Sequence, residues 1–213
     1  DLRQLGFETR RKRLEDWYGK AQPQRMDLSP MLPFRTWGEL AELRNGAREN
    51  SIEGLMLKRF DSAYVAGRPK GPWFKWKRDP HVIDAVLMYA QRGHGKRSSY
   101  YSDYTFGLWR AAEDGTEELV PVGKAYSGYT DQELVWLDRW IRNHTVHRFG
   151  PVREVERGLV LEIAFDAAQL SNRHKSGVAL RFPRVSRLRW DKRPEDADRL
   201  ETLMRMVETG TAA

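Results

Sequence analysis

Apolar residues recur along this chain first at helical and then at strand spacing, and each change of period marks an element. Over residues 1–20, Leu2, Leu5, Leu14, Trp17 and Tyr18 give a partial helical pattern with no clear start signal. Leu28 to Phe34 is apolar but interrupted by Pro30 and Pro33, which predicts an edge strand running into a loop. Thr36-Trp37-Gly38-Glu39 is a capping box, and Leu40 and Leu43 continue it as a helix that should end near Ala47 to Asn50. A short apolar strand, Ile52 to Arg59, comes next. Beyond Gly67, Pro69, Gly71 and Pro72 lies the run Trp73-Phe74-Lys75-Trp76-Lys77-Arg78. Strand alternation sends Lys75 and Lys77 to one side and Phe74 and Trp76 to the other. Burying those two rings, at roughly 1.5–3 kcal/mol or more each, would lock the strand and hold two ammonium groups toward one point. Such a pair suits a phosphate chain.

Asp79-Pro80 is the predicted boundary, because proline disfavours continued regular structure and the pattern changes after it. Strands are expected at Val82 to Gln91, Tyr104 to Ala111 and Leu119 to Tyr126, with turn residues between them. A second capping box, Thr130-Asp131-Gln132-Glu133, opens a helix with Leu134, Leu137 and Ile141 on one face, ending near Asn143. Two further strands are expected, Leu159 to Phe165 and Ala179 to Trp190. Pro183 should force a loop or bulge in the latter, leaving Val185 to Trp190 as the true strand. Pro194-Glu195-Asp196 then starts a short helix with Leu200, Leu203, Met204 and Val207 inward. Three strands, a helix and two strands is the order of an OB-fold five-stranded β-barrel, with a generic small barrel as the alternative. The fold class is therefore α+β, with domains expected at 1–79 and 80–213.

Composition narrows the partner. No apolar run approaches the roughly 18–20 residues needed to cross a bilayer. The absence of cysteine excludes disulfides, thiolate metal sites and cysteine nucleophiles, and fits an intracellular setting. The formal charge is +7, and its distribution says more than its size: from Arg173 to Arg193 there are eight Lys or Arg and one acid, Asp191. That segment would carry a positive field toward phosphate, favouring nucleic-acid contact over a merely solvated face.

Three stretches in order then carry a resemblance. Glu53-Gly54-Leu55-Met56-Leu57-Lys58-Arg59, the lysine run and Arg181-Phe182-Pro183-Arg184 are similar to motifs IV, V and VI of the covalent nucleotidyltransferases, specifically the bacterial ATP-dependent DNA ligases. Ser62 to Arg68 resembles the segment leading into motif V, Arg10 to Glu15 the helix after motif III, and Gly123-Lys124 a segment of the ligase OB domain. The resemblance implies the C-terminal part of an adenylation domain followed by an OB-fold domain with a C-terminal helix. It implies ATP and Mg²⁺, with Mn²⁺ as a substitute, and nicked double-stranded DNA as substrate for a monomer acting in the cytoplasm. In that reading Glu53 is a metal ligand, and Lys58, Arg68, Lys75, Lys77, Arg181 and Arg184 bind ATP or AMP. Lys124, Arg173, Lys175 and Lys192 would contact DNA. Glu53 and Lys58 are five positions apart and face opposite ways in a regular strand, so the strand is expected to twist or end before Lys58.

The family nucleophile lies in Lys-x-Asp-Gly, and no such sequence occurs here, since Lys12, Lys20 and Lys58 all lack the following Asp-Gly. The missing N-terminal half of the adenylation domain is then a required partner, and the chain alone is expected not to form lysyl-AMP. An RNA ligase, a capping-type nucleotidyltransferase and a non-catalytic OB module that binds nucleic acid are the competing readings. His144 and His147 have helical spacing but no third ligand nearby, which reads as a surface pair. The cluster Tyr100, Tyr101, Tyr104 and Phe106 reads as barrel core.

Overall fold

The computed structural model describes residues 1–47 and 52–211. They form two compact units, Asp1–Asp79 and Pro80–Ala213.

The first unit opens with helix α1 (Phe7–Ala21), which Gln22 ends in the left-handed conformation, its N–H donating to Tyr18 O. Helix α2 (Trp37–Asn45) starts where the Thr36 hydroxyl accepts from Glu39 N. The helix closes at Asn45, and 48–50 of its expected end lie outside the described residues. Strands β1 (Gly54–Lys58) and β2 (Trp73–Lys77) pair antiparallel. The edge strand expected at Leu28 to Phe34 is instead unpaired coil. Pro30 and Pro33 lack the N–H donors a ladder needs. The burial expected of Phe74 is also corrected: its ring is 55 % exposed. Among the described residues β2 pairs only with β1, so no further strand flanks Phe74 on the other edge of β2. Trp76 is partly covered, with the Arg44 guanidinium 5.3 Å from its ring.

The second unit is a curled antiparallel sheet. Strands β3 (His81–Arg92), β4 (Tyr101–Ala111) and β5 (Glu117–Ala125) precede helix α3 (Asp131–Asn143), whose capping box at Thr130 and Glu133 is fully formed. Then follow β6 (Thr145–Phe149), β7 (Val152–Val155), β8 (Val160–Phe165), β9 (Ala167–Leu170), β10 (Val178–Arg181), β11 (Arg184–Leu188) and helix α4 (Leu200–Thr211). The main path runs β11-β8-β3-β4-β5. Val185 N donates to Ser127 O at 2.9 Å, linking the β11 end of that path to the segment that leaves β5. A side chain on Gly128, at φ +100°, would run into the Val185 backbone, so this seam requires glycine. This is the OB-fold barrel, and its interior holds Tyr104, Phe106, Phe165, Leu137 and Leu203, all essentially without exposure. Tyr104 donates to Tyr101 O at 2.8 Å, and burial pushes its phenol far above the usual range.

The differences from the expected strands have local causes. The hairpin β6-β7 and strand β9 have no strand pattern in the sequence, since Thr145 to Val155 is polar and short-run and Ala167 to Leu170 nearly featureless. The break expected at Pro183 is present, with Phe182 at φ +53°, and it divides the stretch into β10 and β11; β11 ends at Leu188, short of the expected Trp190. Trp190 lies beyond β11 and meets Trp136 edge-on at 3.9 Å.

Candidate functional site

In the first unit, register decides which side chains act together. Lys58 lies opposite Trp73, Met56 opposite Lys75 and Gly54 opposite Lys77. Directly opposed residues share a face, so Lys58, Lys75 and Lys77 stand on one side of the pair, spread over about 13 Å. Glu53 precedes the strand, and parity alone would send it to the other side. Gly54 adopts φ +137°, which breaks the alternation, and Glu53 reaches Lys77 Nζ at 3.5 Å. The irregularity expected before Lys58 therefore sits at Gly54, and the strand runs regularly through Lys58.

Lys58 is flanked by two rings: its Nζ is 4.9 Å from the centre of Phe7 and 5.4 Å from that of Trp73. Trp73 is itself pinned. Its indole N–H donates to Ser62 Oγ at 2.9 Å, and Ser62 Oγ donates to Arg59 O at 2.6 Å. The Arg10 guanidinium donates to Ser62 O at 3.0 Å, tying α1 to the loop after β1. Spacing gave no sign of the Phe7 contact, which spans fifty-one positions. Arg68 is exposed in the loop between β1 and β2. A shallow cleft of ≈ 290 Å³ lies beneath that loop, lined by Arg59, Asp61, Ser62 and Lys70 among others, and none of the three lysines lines it.

Among the described residues no three His, Cys, Asp or Glu side chains gather into a metal cage. The single carboxylate of Glu53, 63 % exposed, still fits Mg²⁺, which keeps several waters and takes its other ligands from substrate phosphates.

In the second unit the Arg181-Phe182-Pro183-Arg184 turn joins β10 to β11. The Arg181 guanidinium lies 5.3 Å from the Phe182 ring, which is 61 % exposed. Arg184 Nη1 donates to Asp166 at 3.0 Å and to Phe182 O at 3.0 Å. Lys124 is exposed on β5, and Arg173 on the turn between β9 and β10. Lys175 pairs with Glu118 at 3.2 Å, and Arg110 binds the same carboxylate at 2.8 Å. Those two cations hold the Glu118 carboxyl below its usual range.

Lys192 is differently placed. It donates to Asp84 Oδ2 at 2.7 Å, as does Arg189 Nη1, and Asp84 and Arg189 are both largely buried. Arg189 also binds Asp191, whose carboxyl it holds down at about 2. Lys192 thus has its charge committed to β3. Asp84 carried no signal, because its partners lie more than a hundred positions away. His144 closes α3, its Nδ1 2.8 Å from Trp140 O and its ring stacked on Trp140, while His147 lies on β6.

Two family models match the chain. The ATP dependent DNA ligase domain matches residues 1–77, and the ATP dependent DNA ligase C terminal region matches residues 97–192. A probable DNA ligase of Koribacter versatilis is 47 % identical over 178 residues, covering 84 % of this chain and 30 % of that protein. A DNA ligase of Thermococcus fumicolans is 36 % identical over 197 residues, covering 92 % of this chain and 34 % of that protein. The chain thus spans about a third of the length of these curated relatives. Among solved structures, Pmar-Lig_PreS3 superposes with a TM-score of 0.66 at 19 % identity, covering 87 % of this chain and 40 % of that one. A Lig E DNA ligase gives 0.58 at 18 % identity, covering 87 % and 59 %. These two likenesses establish the fold.

Proposed function

The chain belongs to the ATP-dependent DNA ligase family, and we propose that it forms the end of the adenylation domain and the OB-fold domain of a ligase that seals nicks in duplex DNA. The observation that carries this reading is the shared face of Lys58, Lys75 and Lys77, with Glu53 turned onto it by Gly54. Sealing consists of three phosphoryl transfers: AMP to a lysine, AMP to the 5′-phosphate of the nick, and displacement of AMP by the 3′-hydroxyl. Each builds negative charge on phosphate oxygens, so the contribution of the protein is positioning and fixed positive charge.

Lys75 and Lys77 lie along one strand and hold successive phosphate oxygens. Lys58, fixed between Phe7 and Trp73, orients the bound nucleotide. Glu53 would hold Mg²⁺, which when bound supplies further neutralisation at the phosphates. Arg181 and Arg184 offer planar forks to the leaving pyrophosphate, with Arg184 aimed by Asp166. Lys124, Arg173 and Lys175 contact the DNA backbone. The attacking lysine is not among these 213 residues, so this stretch alone does not form lysyl-AMP.

Nick joining by a complete ligase carrying this segment, measured on a radiolabelled nicked duplex with ATP and Mg²⁺, tests the reading. Loss of sealing in Lys75→Met and Glu53→Ala variants that remain folded is the expected result. Undiminished sealing in both would overturn it, and preference for a nicked RNA strand would point to the RNA ligases.

A further inference from the structure

One end of the barrel carries an arrangement of arginines that none of the ligase motifs includes. Arg92 at the end of β3, Arg142 in the last turn of α3 and Arg153 on β7 surround one side chain, Tyr101. Their guanidinium carbons lie 5.8, 5.3 and 5.7 Å from its ring centre. The ring is 4 % exposed, so the three cations cover it from outside. Asp138 takes up Arg142, at 2.7 Å, and fixes Tyr101 by accepting from its backbone N–H at 2.9 Å. Arg153 donates to the carbonyls of Gly150 and Val152. Neither Arg92 nor Arg153 has an ion pair among the described residues.

A second observation on a different pair of strands points the same way. In the β6-β7 hairpin Arg148 lies directly opposite Arg153. Like charges at opposed positions repel, and no carboxylate is paired with either among the described residues. Three of these arginines surround Tyr101 and Arg148 stands beside the third by register, and of the four only Arg142 is ion-paired to a carboxylate among the described residues. A guanidinium stacked on a ring keeps its in-plane N–H donors pointing outward, the geometry that suits phosphate oxygens.

We infer that Arg92, Arg142, Arg148 and Arg153 form a second phosphodiester-binding site, a clamp on the backbone of duplex DNA. It is built on different strands from the turn that carries Arg173 and Lys175. Its occupant is a polyanion with regularly spaced single charges, because the arginines are spread over the end of β3, the last turn of α3 and the β6-β7 hairpin instead of being gathered at one point. This rests on the reading of the chain as a ligase segment and adds a surface to it.

The test uses the 213-residue chain and a fluorescently labelled nicked duplex, with anisotropy titrations over a range of salt concentrations. Arg92→Gln and Arg148→Gln are the variants, since neither breaks an ion pair, with Lys124→Gln and Arg173→Gln for comparison. Each of the first two should weaken binding about threefold or more and flatten the plot of log K against log salt by ~0.9 per lost phosphate contact. Thermal midpoints should be unchanged, or raised in Arg148→Gln as the repulsion with Arg153 is relieved. Wild-type slopes in Arg92→Gln and Arg148→Gln beside weakened Lys124→Gln and Arg173→Gln would overturn the clamp and leave the ligase reading intact. Lowered melting in both would assign the arginines to folding and overturn it as well. A wild-type chain that does not bind the duplex would overturn both readings.

Discussion

Lys77 and Glu53 meet at 3.5 Å across the β1-β2 pair although strand parity assigns them to opposite faces. The cause is Gly54, whose φ of +137° re-aims the residue before it. A Cβ there would strike Trp76 O and lie 2.7 Å from Lys77 Cα. Gly54→Ala should therefore destabilise the first unit by about 2 kcal/mol or more, from backbone strain together with the collision. Urea denaturation followed by tryptophan fluorescence checks this, and an unshifted midpoint would refute the role given to Gly54.

In a complete ligase, Lys75→Met and Lys77→Met should each slow phosphoryl transfer about 10²-fold, as removal of a fixed charge donor does elsewhere. Lys70, exposed in the loop between the strands, serves as the comparison, and Lys70→Met should leave the rate unchanged. Single-turnover formation of the adenylated intermediates distinguishes these outcomes.

Asp84 accepts from both Arg189 and Lys192 through one oxygen. Replacing it with alanine leaves two largely buried cations without that partner, so Asp84→Ala should lower the melting temperature of the second unit. Adding Lys192→Met removes one stranded charge, and the double variant should lose less than the sum of the single losses. Strict additivity by differential scanning calorimetry would show that the pair is not coupled.

The Glu118 carboxyl titrates below its ordinary range because Arg110 and Lys175 bind it. A carboxylate lowered in the folded state contributes stability above its unfolded pKa, and that contribution is lost as pH falls through the folded value. Urea midpoints measured from pH 7 down to pH 3 should decline, and Glu118→Gln should decline less steeply over the acid end. Parallel curves for the two proteins would contradict the pairing.

What the sequence determined by itself was the local part. The Thr130 capping box, the strand cores around Leu87, Phe106 and Ile163, and the glycine and proline breaks all depend on neighbours within a few positions. Order and spacing of the three ligase-like stretches likewise need no coordinates. The hairpin β6-β7 escaped because its strands have five and four residues and its polar face leaves little period to detect. The alternation at Phe74 says which side the ring takes and not whether anything covers that side, and the ring is exposed. Tertiary structure alone decided the pairings across long separations: Phe7 beside Lys58, Asp84 with Arg189 and Lys192, and the arginines gathered on Tyr101. Charge and ring contacts of this kind depend on which strands and helices become neighbours, and that is set by the closing of the barrel and the register of the ladders rather than by spacing along the chain.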